Sequence, residues 1–227
     1  MKSKKIILFI VEGITDRVSL GLILSRIIKS NSVQFQIVFG DITSDNRTTS
    51  QNAITKVNDQ VKKFLASNGG IFRKSDIIEV VQLVDLDGAY IPQEHIIKGC
   101  NEKLIYTNEN IIALDVEKIK ERNKRKSSVL NKLSTTSCVG GINYRMYYFS
   151  SNLEHVLHNK QCVEDSEKYK YADCFEEKFS DREEQFIDFI KNSSFSVEGD
   201  FSQSWEFVKE GLRSLNRYSN FNIFFQK

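Results

Sequence analysis

Proline is almost missing, with Pro92 alone in 227 residues. A proline-rich linker is thereby excluded, and few helices are interrupted from within. Cysteine is sparse: Cys100, Cys138, Cys162 and Cys174 stand at long, irregular gaps with no CxxC pair. That spacing argues against a zinc ribbon, and a disulfide framework is uncommon at this size and density. Four reduced cytosolic thiols are expected. Charge of one sign is also lacking, since 32 Lys+Arg against 30 Asp+Glu leave a net +2. A uniformly basic nucleic-acid coat is excluded, while a local basic patch is not. Long hydrophobic runs are missing too. Ile6 to Val11 is only six residues long, and Glu12 and Asp16 follow at once, which is too short for the core of a secretory signal. Arg17 and Arg26 bracket the next apolar segment, so no bilayer span is expected. These absences predict a soluble, cytoplasmic protein with no membrane association. There is no Walker A sequence, so any ATP use would belong to a partner.

What is present is an ordinary globular composition, 40% hydrophobic and 27% charged, unlike a disordered tail, a collagen or a coiled coil. Ile6 to Val11 reads as a strand buried on both faces. Thr15 or Asp16 can cap a broadly apolar helix that ends near Lys29. Val33 to Phe39, closed by Gly40-Asp41, alternates as a strand does. Residues 51 to 66 carry Ile54, Val57, Val61, Phe64 and Leu65 at helical spacing, and Asn68-Gly69-Gly70 stops them. Ile77 to Val84 is another buried-type strand. Strand, helix, strand, helix, strand builds a parallel sheet covered by helices. Further on, Leu104 to Tyr106 and Ile111 to Leu114 suit short strands, 116 to 133 a helix, and Tyr144 to Phe149 a strand. Ser150 or Ser151 would cap a helix through His158. From 161 the chain turns acidic, with twelve Asp+Glu against five Lys+Arg up to residue 200. Helices are predicted near 173–191 and 203–216. The expected fold is α/β, a mostly parallel sheet flanked by helices over 1–160, with a helical C-terminal extension over 161–227.

Two acidic motifs follow two of the predicted strands. Val11-Glu12-Gly13-Ile14-Thr15-Asp16 puts a carboxylate at a strand exit, and a second one four residues later. Parallel sheets place ligands beyond the carboxyl ends of their strands, although Asp16 also suits a simple helix cap. Asp85-Leu86-Asp87-Gly88 sets two more carboxylates at another strand exit, where Asp-Gly is also a common turn pair. Four carboxylates converging in one crevice repel each other, and a hard cation such as Mg2+ would relieve that.

Glu12-Gly13-x-x-Asp16 after an apolar strand, with Asp85-x-Asp87 after another, resembles the Toprim domain. That domain is the catalytic module of topoisomerases, DnaG-type primases, small maturation nucleases and OLD-family nucleases. The resemblance covers roughly residues 4 to 160. Phe149-Ser150-Ser151-Asn152-Leu153-Glu154 is similar to a late strand-to-helix element of stand-alone OLD/RloB-like Toprim proteins. There a Ser-Asn-x-x-Glu-type motif carries another acid; here Glu154 follows Asn152 by only two residues. The resemblance implies a nuclease that hydrolyses phosphodiester bonds of DNA or RNA with Mg2+ or Mn2+, two ions in all. Glu12 would be a metal ligand or the general acid or base. Asp85 and Asp87 would hold metal, Asp16 would support a second ion and Glu154 would complete its site. The resemblance further implies a phage-defence effector that works with a separate SMC/ABC-type ATPase and forms a homodimer. An assisting lysine is common in that family, and Lys160 is the candidate here.

Other readings stay open. Asp85-Leu86-Asp87-Gly88 also resembles the first motif of haloacid-dehalogenase-type phosphatases, with Asp85 as nucleophile and Asp87 as acid or base. Phe149-Ser150 would imitate the second motif and Lys160 the third. That first motif usually lies near the N-terminus, and this reading leaves Glu12 and Asp16 unexplained. A non-catalytic, Toprim-shaped binding module is the third reading. The run Lys118, Lys120, Arg122, Lys124, Arg125, Lys126 and Lys132 is a candidate nucleic-acid surface, with a solvated helix face as the plain alternative. His155 and His158 stand at i, i+3 beside Glu154, but two ligands do not make a metal site.

Overall fold

The computed structural model describes residues 5–28, 32–37 and 41–226. The expected helix end at Lys29 and strand end at Phe39-Gly40 lie outside the described residues. The protein is mixed α/β, and its described residues gather into two compact units, neither of them contiguous. The first comprises Met1–Val84, Val129–Tyr147 and Ala172–Glu183; the second comprises Asp85–Ser128, Tyr148–Tyr171 and Glu184–Lys227. The segment expected to form a separate C-terminal extension is thus divided between both units.

The first unit is built on a mostly parallel five-stranded sheet of order β2-β1-β3-β8-β7. Strand β1 is Ile6–Val11, and all six residues are buried, as its unbroken apolar run requires. It pairs in parallel with β2 (Ser32–Ile37), Phe9 opposite Phe35, and with β3 (Ile77–Asp85), Ile10 opposite Gln82. Strands β7 (Cys138–Val139) and β8 (Ile142–Phe149) pair antiparallel through the Gly140-Gly141 turn. Helix α1 (Ile14–Ile27) buries Leu20, Ile23 and Leu24, and α2 (Ala53–Ser67) buries Val57, Val61 and Phe64 along one stripe. Tyr144 is fully enclosed and donates its hydroxyl proton to Gln82 Oε1 at 2.7 Å. That bond satisfies a buried polar pair inside the sheet.

The second unit contains a small sheet. In it β4 (Ile96–Lys98) pairs in parallel and β5 (Ile105–Tyr106) antiparallel with β6 (Ile111–Ala113). The two later strands were legible, whereas β4 was not predicted. Ile91, Ile96, Ile111, Ala113, Ile119 and Leu215 form its core. Helix α3 (Val116–Ser134) starts in this unit, and its residues from Val129 belong to the first. Helix α4 (Leu153–His158) is capped by Asn152, not by Ser150 or Ser151. Tyr148 meets Trp205 edge-on at 5.0 Å and donates to the Ser204 carbonyl.

The C-terminal helices differ from expectation. In place of one helix near 173–191 there are two, α5 (Asp165–Phe179) and α6 (Glu183–Asn192). Asp181 between them adopts φ 57°, a left-handed conformation that ends a helix. Helix α7 (Phe201–Lys209) stops well short of 216, because Glu210 is extended and Gly211 is left-handed at φ 55°. Among the described residues no helix is long and apolar enough to cross a membrane.

Candidate functional site

The acidic motif of the first unit is a tight turn. Asp16 Oδ2 accepts the backbone N–H groups of Glu12 at 3.1 Å and of Gly13 at 2.9 Å. It thereby satisfies donors left over at the start of α1. Its carboxylate, in the first helical turn, also suits the positive end of the helix dipole. Asp16 therefore takes the capping role and fixes the turn that presents the half-buried Glu12.

The acidic motif of the second unit is held from every side. The backbone N–H of Leu86 donates to the Phe149 carbonyl, that of Asp87 to Ser151 at 2.9 Å, and that of Gly88 to Ser214 at 3.1 Å. Asp85 Oδ1 accepts from the Leu153 N–H at 3.0 Å, so it helps Asn152 cap α4. Asp87, Gly88 and Ser151 all have positive φ, at 50°, 66° and 58°. Asp87 and Ser151, non-glycine residues in left-handed backbone after β3 and after β8, carry local strain of the kind that clusters at functional sites. Gly88 is required twice over: a Cβ there would stand 3.0 Å from Ile111 Cδ1 and 3.2 Å from Leu215 Cδ1. Gly88→Ala should therefore cost about 1–3 kcal/mol, read as a lowered urea midpoint.

The basic run on α3 is turned partly inward, against expectation. Lys126 is fully buried and donates to Asp87 Oδ2 at 2.6 Å. Arg122, one turn earlier, donates to the Asp87 carbonyl and to the Tyr106 hydroxyl, both at 2.9 Å. Asn123 donates to the Gly88 carbonyl at 3.0 Å. Arg122 and Lys126 thus support the Asp-Leu-Asp-Gly turn, and Lys126 does not reach the surface to meet a phosphate. Residues i and i+4 share a helix face, and this face is covered by the turn. Lys118 and Lys124 are exposed and Arg125 is half-buried, so of the run expected to meet nucleic acid Arg122 and Lys126 are engaged by the turn. Burial raises the Tyr106 hydroxyl above its usual range, with the Asp87 charge adding to the shift and Arg122 opposing it. Lys160, the candidate assisting lysine, is exposed. Lys126 is the lysine that stands on an acidic motif. A lysine spaced like a solvated one gave no sequence signal of this role.

Glu154 lies in the first turn of α4 and is buried. His155 is 3% exposed with Nδ1 unpaired. His158 packs against Tyr171 at 5.4 Å. Among the described residues no group of three or more His, Cys, Asp or Glu side chains is gathered to hold a metal ion. Burial, and secondarily the positive Arg217, lower His155 from 6.5 to about 4. The folded chain therefore keeps this ring neutral, while the unfolded chain protonates it below its ordinary value. Stability is full above about pH 6.5 and is lost as pH falls toward 4. His155→Gln should flatten that acid limb, as seen in urea midpoints at pH 7.5 and pH 5.

The chain matches no protein-family model, no curated protein and no solved structure.

Proposed function

We propose that this chain is a Mg2+-dependent nuclease of Toprim-like type, with Glu12, Asp85 and Asp87 as its reactive carboxylates. Strand topology carries the reading. β1 and β3 are adjacent and parallel, and each is followed at once by an acidic motif. Parallel neighbours leave a sheet in the same direction, toward the edge where such folds bind ligands. Carboxylate oxygens are the hard donors that Mg2+ takes, together with phosphate oxygens and water. In the Toprim resemblance Glu12, Asp85 and Asp87 are the residues that would hold it, although among the described residues they are not gathered into one three-carboxylate group. The ion would polarise the phosphodiester and supply a nucleophilic hydroxide. The protein's own contributions are clearer. Asp16 fixes the Glu12 turn, while Arg122, Asn123 and the backbones of Ser151 and Ser214 fix the Asp85–Gly88 turn. Lys126 balances the charge on Asp87. Exposed Lys118 and Lys124 add salt-dependent attraction for a phosphate backbone.

The dehalogenase-type alternative loses support at its second motif. Ser150 is fully buried, and its hydroxyl is enclosed by the backbones of Asn216 and Tyr218, so it is not open to a phosphate. Toprim resemblance supplies the further proposal of a defence effector acting with a separate ATPase and dimerising. Incubation of the chain with single- and double-stranded DNA and with RNA, in Mg2+, Mn2+ or EDTA, tests the reading. Metal-dependent cleavage is expected. A chain that cuts none of them, alone or with its ATPase partner, would favour the binding-module alternative.

A further inference from the structure

The second unit contains a cavity of about 350 Å3 lined by Glu154, Leu104, Tyr106, Val163, Lys103 and Lys168 among others. Glu154 is 7% exposed, and among the described residues its carboxylate has no hydrogen-bond or ion-pair partner. Glu154 is little exposed yet lines this cavity, so its carboxylate is an acceptor open to a ligand's donors. Its polar neighbours are engaged elsewhere. Asn152 accepts from the His155 N–H and donates to the Gln161 carbonyl. Gln161 donates to Asn108, and the Tyr106 hydroxyl accepts from Arg122. Lys103 pairs with Glu164 at 2.7 Å, on the same lining.

Glu164 on this lining is taken by Lys103, which leaves one carboxylate, fewer oxygens than a divalent cation needs. It suits a ligand with a flat apolar body and two adjacent donors. Of the common bases only guanine sets two N–H donors side by side for a carboxylate, at N1 and N2. Adenine and cytosine pair their amino group with a ring acceptor, and the N3–H of uracil lies between two carbonyls. We propose that this cavity binds a guanine nucleotide, with Glu154 accepting from N1–H and N2–H. Tyr106, Leu104 and Val163 supply its apolar wall. Aromatic surface takes bases readily by stacking. The inference deepens the nuclease reading by naming the base a substrate would present, and rests on that reading only for the source of the base.

Calorimetric titration of the full chain in EDTA tests it, because binding is then read without cleavage. GMP should bind, IMP (which lacks the N2 amino group) should bind less tightly, and AMP, CMP and UMP should bind about tenfold to a hundredfold more weakly. Glu154→Gln should erase the preference for GMP while leaving the fold intact, since the amide keeps the shape of the side chain and removes its charge. A guanine-containing single-stranded oligonucleotide that binds more tightly than GMP would place the base in a strand; equal affinity would place it as a free nucleotide. Four nucleotides binding alike, none binding, or a GMP preference that survives Glu154→Gln would overturn the proposal. So would a Glu154→Gln variant that loses Mn2+ binding in place of GMP binding. A chain that binds GMP but cuts no nucleic acid would overturn the nuclease reading and leave this one standing.

Discussion

Glu12→Gln is expected to lower Mg2+-dependent cleavage by at least about a hundredfold, the scale on which removing a fixed electrostatic contributor to a transition state acts. The amide keeps the size and shape of the side chain and removes only its charge. The turn should survive, because the Glu12 and Gly13 N–H groups are held by Asp16 and not by the Glu12 side chain. The same variant separates two chemistries. A dehalogenase-type phosphatase would use Asp85 and Asp87 and would keep its activity on p-nitrophenyl phosphate without Glu12. Parallel assays of wild type and variant on nucleic acid and on that ester read the difference directly.

Asp87→Asn is expected to cost about 3–5 kcal/mol of folding stability, and Lys126→Met less. The asymmetry follows from what each change leaves behind. The Lys126 side chain is 0% exposed and that of Asp87 is 26% exposed. Removing the carboxylate charge takes from a fully buried ammonium the carboxylate it donates to at 2.6 Å, and breaking a buried pair costs about 3–5 kcal/mol. Removing the ammonium leaves a carboxylate that water reaches in part, so that penalty is screened. Asparagine is the right probe because Asp87 has φ 50°, a conformation Asn also tolerates. Urea unfolding of both variants at neutral pH gives the two costs. An Asp87→Asn cost below that of Lys126→Met would show that the buried ammonium does not depend on this carboxylate.

The parts of this protein legible in its sequence are those where local pattern and tertiary setting agree. The run Ile6–Val11 had no polar residue to give to a solvent face, so a strand buried on both faces was the consistent reading. The α2 stripe of Val57, Val61 and Phe64 repeated at helical spacing and buried as it should. Asp85-Leu86-Asp87-Gly88 was legible as the end of a strand and as a turn. Its scaffolding was not, because Arg122, Asn123, Ser151 and Ser214 reach it from distant parts of the chain. Lys126 was misread for a related reason: a lysine within a basic run is usually solvated, and only the carboxylate placed opposite turns it inward. Glu154 likewise carried no sign of its burial, since α4 is too short to display a period. Asp16 shows the reverse case. The local signal for a helix cap was plain, and the structure uses it as one. The division of the chain into two non-contiguous units depends on which far segments pack together within each, and that information is spread too thinly over hydrophobic positions to be read locally.

Cleavage rates for Glu12→Gln, Asp85→Asn and the double variant, measured side by side with the wild type in Mg2+, bear most directly on the idea that two distant carboxylate turns serve one reaction. Groups that act as a unit are strongly non-additive, so the double variant should be about as slow as either single one. Independent losses that multiply, or either single variant retaining wild-type cleavage, would contradict it.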